Sequence, residues 1–148
     1  MKRCAVLALL AMAGCASADP YVKEGKRLVQ GIEPVIAGTL AGGPWLVEDI
    51  NGGGVIDDAR VDLAFAEGRV SGRSGCNRFS GDWQQAAQAI KLGPLMGTRM
   101  ACAPAIMVME AKFLAALEAT TTVVFDNSGA ALLKAPDGRV VKIRREAK

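Results

Sequence analysis

Val61, Leu63 and Phe65 alternate with Asp62 and Ala64, the period of two that marks a strand with one buried face. Short stretches of strand-forming residues recur at 45–50, 69–72, 81–84, 89–92, 121–126, 130–134 and 139–144. Turn formers separate them: Asn51-Gly52-Gly53-Gly54, Glu67-Gly68, Asn127-Ser128-Gly129 and Pro136-Asp137-Gly138. Strands this short and this closely spaced predict an antiparallel meander. One segment has another period. Ile106, Met109, Phe113, Leu114 and Leu117 fall at helical spacing, which predicts a helix over 104–119 with Pro104 at its first position. Glu110, Lys112 and Glu118 lie largely off that apolar stripe, and Met107 and Met109 read as core rather than as a flexible ligand groove. A single helix among about eight strands predicts a mainly β fold, a small antiparallel barrel with the helix packed over one opening or face.

Before the first strand the pattern changes character. Lys2 and Arg3 precede an apolar run over 5–12, too short to span a bilayer, and Met12-Ala13-Gly14 places small residues directly before Cys15. This is the layout of an export signal. A cysteine so placed is similar to a bacterial lipobox cysteine, whose thiol receives diacylglycerol and becomes the new N-terminus. Cleavage after Ala16-Ser17-Ala18 is the alternative, and it would release a soluble protein starting at Asp19. The lipobox is favoured because the charged and apolar regions end where it requires. The expected organisation is a signal over 1–14, a lipidated Cys15 with a tether to residue 43, and one domain over 44–148.

The chain has 148 residues and a net charge of +3. Loss of the 14-residue signal leaves 134 residues and, with Lys2 and Arg3 gone, a charge of +1. That is enough for one domain with a real core. No basic field remains to argue for nucleic acid. Beyond Cys15 no apolar stretch approaches the ~20 residues needed to cross a membrane, so attachment would be by lipid alone. The chain has no histidine. This removes the usual general base, the commonest zinc ligand and the partner of most serine or cysteine nucleophiles.

Of the four cysteines, Cys4 leaves with the signal and Cys15 takes the lipid. Cys76 and Cys102 remain, 26 residues apart, in a chain expected to meet an oxidising compartment. A disulfide between them is favoured over two buried free thiols. Regular alternation through Val70, Gly72 and Ser74 would put Cys76 on the core side, while Cys102 stands just before the helix. A bridge would therefore pin the helix start to the sheet.

Two strings, Gly75-Cys76-Asn77-Arg78-Phe79-Ser80-Gly81 and Thr98-Arg99-Met100-Ala101-Cys102, resemble motifs of the META/HslJ family of small bacterial exported domains. Trp45-Leu46, Gly72, Leu92-Gly93-Pro94-Leu95, Met109-Glu110 and 113–117 keep the family's order around them. The resemblance covers about 44–144 and implies a β-barrel-like domain with one helix. It implies an association with heat-shock and envelope stress, and no established reaction.

Candidate chemistry is sparse. Gly72-Arg73-Ser74-Gly75-Cys76 comes within one residue of a G-x-S-x-G elbow, but nothing in the sequence would activate Ser74. Cys76 lacks a base, two cysteines do not complete a zinc site, and Asp57-Asp58 are too adjacent for paired acid–base work. No catalytic residue, metal or cofactor is expected. Of Arg73, Arg78 and Arg99, a 76–102 bridge would bring Arg78 and Arg99 into one neighbourhood, where two guanidinium forks could clamp a carboxylate or phosphate; ordinary surface arginines, or partners for Asp82 and other acids, are the plainer reading. The expected protein is a non-enzymatic lipoprotein of the bacterial envelope, facing the periplasm from the outer membrane, where Ala16 rather than Asp after Cys15 is similar to lipoproteins sorted there. It would support envelope integrity or stress tolerance by binding or scaffolding. The alternatives are a barrel holding a lipid or small ligand, and a protein-binding module, inhibitor-like or pilot-like, using loops such as 51–59.

Overall fold

Alternation builds the wall of the molecule. In β2 (Val61–Ala66), Val61, Leu63 and Phe65 are buried and Asp62 and Ala64 are less so. Their neighbours follow suit, with Trp45, Val47 and Ile50 buried on β1 (Gly42–Ile50) and Val70 and Ser74 on β3 (Arg69–Ser74). The chain continues through β4 (Arg78–Ala86), β5 (Ala89–Leu92) and the two-residue β6 (Met96–Gly97). A single helix, α1 (Pro104–Glu118), comes next. Then β7 (Thr122–Phe125), β8 (Ala130–Lys134) and β9 (Val140–Arg145) complete the order. This is a computed structural model, and it describes residues 38–147. The expected signal, Cys15 and nearly all of the expected tether lie outside the described residues.

Each pairing is antiparallel, and the spatial order β3-β2-β1-β9-β8-β7-β5-β4 returns to β3, so eight strands close into a barrel. Closure depends on the length of β4. Its first half pairs with β3, from Arg73↔Arg78 to Arg69↔Asp82, and its second half pairs with β5, from Trp83↔Leu92 to Ala86↔Ala89. β6 lies along the first half of β4, on the edge opposite β3. The barrel is narrowest in hydrogen bonding at β5–β7, where Ala89 faces Thr122 and the bonds are Ile90 N–H to Thr121 O and Val123 N–H to Gln88 O. The interior is occupied by side chains: Trp45, Leu63, Phe65, Val70, Leu133, Val141 and Ile143 are at most 1% exposed.

Helix α1 buries Met109, Phe113, Ala116 and Leu117 and half-buries Ile106 and Leu114, which is the expected stripe. Phe113 meets Phe79 of the wall edge to face at 5.6 Å between centroids. The helix lies across the end of the barrel where β1 and β3 finish. Ile56 N–H points at Met109 Sδ (3.4 Å), and Arg139 Nη1 donates to Ala115 O (2.6 Å). The mainly β barrel with one helix over an opening is thus the observed fold.

The boundaries differ at four places. β1 begins at Gly42, before the Trp45 start that its apolar residues predict, because backbone pairing with Phe65 needs no side chain from Gly42. Leu40, within the expected tether, is fully buried; the indole Nε1 of Trp45 donates to its carbonyl (3.0 Å) and its N–H donates to Gln85 (2.9 Å). β4 outruns its expected 81–84 span at both ends, and β6 carries no apolar alternation of its own.

Candidate functional site

The two motifs meet beside the start of α1. β3 ends at Ser74, where Gly75 takes φ +120°, a left-handed backbone that favours glycine. That turn interrupts the alternation, so Cys76 is half-buried rather than on the core face with Val70 and Ser74. A Cβ on Gly75 would fall 3.1 Å from both Ile106 and Met109, so the loop presses directly against the helix. Cys76 is bridged to Cys102, with Cα atoms 6.4 Å apart. The bridge ties the β3–β4 loop to the segment two residues before α1.

Glu110 stands at the centre of this region, where it organises the polar groups. Its Oε2 accepts from the Ser74 hydroxyl (2.6 Å) and from Asn77 N–H (2.9 Å), and its Oε1 accepts from Asn77 Nδ2 (2.7 Å). The other side of Asn77 serves the second motif: its Oδ1 accepts from Thr98 Oγ1 (2.9 Å) and Met100 N–H (2.7 Å). Asn77 is 5% exposed and Ser74 fully buried, so every one of these partners replaces water. Burial is the largest influence on the Glu110 carboxyl and pushes it up. The Ser74 hydroxyl, the Asn77 side chain and the Asn77 and Cys76 backbone amides together outweigh it and hold the group below its ordinary value of 4.5.

Chemically, the arrangement locks the β3–β4 loop to the helix: Ser74, Asn77 and Glu110 bond one another. The Ser74 hydroxyl points at a carboxylate, but it is sealed from solvent and also lies 3.1 Å from the Asn77 carbonyl. The sequence placed Glu110 on the polar side of the helix and so missed its role. The spacing from Met109 and Phe113 does put it at the edge of the buried stripe, which was the available signal. Among the described residues no cluster of three His, Cys, Asp or Glu side chains could hold a metal ion.

The arginines fall close by, on the outer wall. Arg78 is joined to the second motif through its backbone: Thr98 N–H donates to Arg78 O (2.9 Å) and Arg78 N–H to Thr98 Oγ1 (3.1 Å). Arg99 follows Thr98 directly, and both arginines are exposed. The structure adds Arg73, which faces Arg78 directly across β3–β4. Like charges in register repel. The two line a shallow cleft with Asp62, Ser71, Gly72 and Phe79. The Asp62 carboxylate is engaged by Arg60 Nε (2.5 Å) and Arg73 N–H (3.2 Å).

A closed eight-stranded antiparallel barrel, capped by one helix and locked by a disulfide and a half-buried carboxylate, defines the class of this protein. The family model described as "META domain" matches residues 38–148, and the chain belongs to that family. Two solved structures share the fold. An NMR structure of a protein from Burkholderia xenovorans is 24% identical with a TM-score of 0.56, covering 74% of this chain and 85% of its own. A second NMR structure is also 24% identical at TM-score 0.56, covering 70% of this chain and 89% of its own. A search of the curated proteins returns no match.

Proposed function

We propose that this META-domain protein is exported, anchored by lipid on Cys15 in the outer membrane of the bacterial envelope, and supports envelope integrity under stress by binding or scaffolding, without catalysis. The observation that carries the reading is the use made of the polar groups at the two motifs. Ser74, Asn77 and Glu110 are consumed by one another, which leaves them to hold loops rather than to turn over a substrate. The barrel interior is likewise taken up by Trp45, Phe65, Phe113 and their neighbours, which favours a role for the outer surface over an internal ligand. The Cys76–Cys102 bridge supports an oxidising compartment, where such bonds persist.

Two measurements test the reading. Intact mass of the protein extracted from its own membranes should show a mature chain starting at a diacylglycerol-modified Cys15; a chain starting at unmodified Asp19 overturns the anchor. Cells lacking the protein should lose tolerance of heat or detergent and regain it from the wild-type gene. Failure of the wild-type gene to restore tolerance overturns the envelope role.

A further inference from the structure

The outer face of α1 is apolar where a surface helix is ordinarily charged. Ala105, Met107, Val108, Ala111 and Ala115 are exposed along it, interrupted by Lys112. Val108 is 55% exposed and Met107 46%. Across an open groove of about 180 Å³ stands Ile56 of the β1–β2 loop, 39% exposed, with Lys112 on the rim. Met100, 54% exposed, lies on the loop that leads into the helix. Ile56, Met100, Met107 and Val108 are thus carried by the helix, the loop that leads into it and the loop across the groove from it. Grouping of this kind marks an interaction surface.

Basic groups flank the patch on the side of the two motifs. Arg78 and Arg99 at the two motifs and Lys112 on the helix flank it, and among the described residues none of these three has an acidic partner within 4.0 Å. Glu110, half-buried, is turned onto Ser74 and Asn77. Asp57 and Asp58 are exposed and follow Ile56 on the β1–β2 loop, the rim of the groove opposite α1, and Glu118 at the helix end accepts from Leu95 N–H. An apolar centre with a cationic flank suits the boundary of an anionic bilayer, where thioether and methyl groups enter the acyl margin and guanidinium groups meet phosphates. A second copy fits less well. Residue 111 is the middle of α1, so a two-fold axis through that face would bring Lys112 against its own counterpart.

We propose that the helix-capped end of the barrel, through Ile56, Met100, Met107 and Val108 with Arg78, Arg99 and Lys112, docks on an anionic lipid surface. The proposal rests on the Cys15 anchor for its geometry. Leu40, next to Gln85 on β4, places the entry of the chain at the opposite end of the barrel. Residues 16–37 separate Cys15 from the first described residue and reach roughly 75 Å when extended. A domain of this size is only about 35 Å across. The tether is therefore long enough for the capped end to turn back to the membrane that holds the anchor.

The test uses the mature chain without its lipid, residues 16–148, which contains all of the described fold and lacks the signal's own apolar run. It is sedimented with vesicles of phosphatidylethanolamine and phosphatidylglycerol (3:1), or of phosphatidylcholine alone. The expected result is partition onto the anionic vesicles that weakens with salt. It should fall about tenfold in Val108→Asp and several-fold in the Arg78→Gln/Arg99→Gln pair, with circular dichroism unchanged. Equal partition of wild type and Val108→Asp, or none onto either vesicle, overturns the proposal. A dimer seen by ultracentrifugation, abolished by Val108→Asp without vesicle binding, also overturns it and makes the face a self-contact. Because this chain lacks the lipidated cysteine, the outcome is independent of whether Cys15 is modified in cells.

Discussion

Glu110 sits in the sequence between Met109 and Ala111 as one of three charges on a helix, yet it accepts three hydrogen bonds from a loop more than thirty residues away. Removing it would strand Asn77 N–H and Asn77 Nδ2 in a site closed to water. Glu110→Ala should therefore lower stability by about 2–4 kcal/mol in urea denaturation. Glu110→Gln should cost less, because one oxygen still accepts. The pH dependence follows from the direction of its shift. The carboxyl is held below 4.5 in the fold, so its contribution is fully present above that pH and is lost as pH falls through the lower folded value. Unfolding free energy measured from pH 6 downward should drop more steeply in wild type than in Glu110→Gln. Gly72 makes a second residue-scale case: a Cβ there would overlap the Asp62 carbonyl of the neighbouring strand. Gly72→Ala should destabilise by about 2–3 kcal/mol, since backbone rather than a flexible side chain must give way.

At the scale of elements, the helix and most strands follow from periodicity, because each buries a face whose residues recur at its own repeat. The exceptions are informative. β6 is held by the registers Phe79↔Gly97 and Ser80↔Met96, a property of β4 as much as of its own two residues. The early start of β1 is set by Phe65 on β2. The bridge between Cys76 and Cys102 acts at this scale, joining a hairpin loop to a helix start. Closing 26 residues of chain is worth about 3.5 kcal/mol on the chain-entropy argument. The Cys76→Ala/Cys102→Ala chain should lose about that much in urea unfolding. Amide exchange should rise first over 98–107, because Ala103 caps α1 with no side-chain hydrogen bond of its own.

For the whole molecule the decisive event is closure of the wall. β1–β9 and β8–β9 are paired over five residues each, whereas β5–β7 meets at Ala89↔Thr122 with one hydrogen bond on either side. Native-state exchange should find the Ile90 and Val123 amides opening at lower free energy than those of Val141 and Ile143. Leu40 belongs to this scale too. It is fully buried, and Trp45 and Gln85 both bond to its backbone. Leu40→Ala should cost about 2–4 kcal/mol in thermal or urea unfolding, and a chain starting at Pro44 should be less stable still.

Local pattern determined the fold class of this chain, its helix and most of its strands, because apolar periodicity and turn chemistry are written within a few neighbouring residues, while the pairing of Cys76 with Cys102 followed from setting the two N-terminal cysteines aside. What only tertiary structure decided is what one segment does to another. It turned Glu110 inward onto Asn77, set Arg73 opposite Arg78, buried Leu40 and left the back of the helix bare. Each of these depends on strand register and barrel closure, where a shift of one residue moves a side chain to the other face. No local count of residues carries that information.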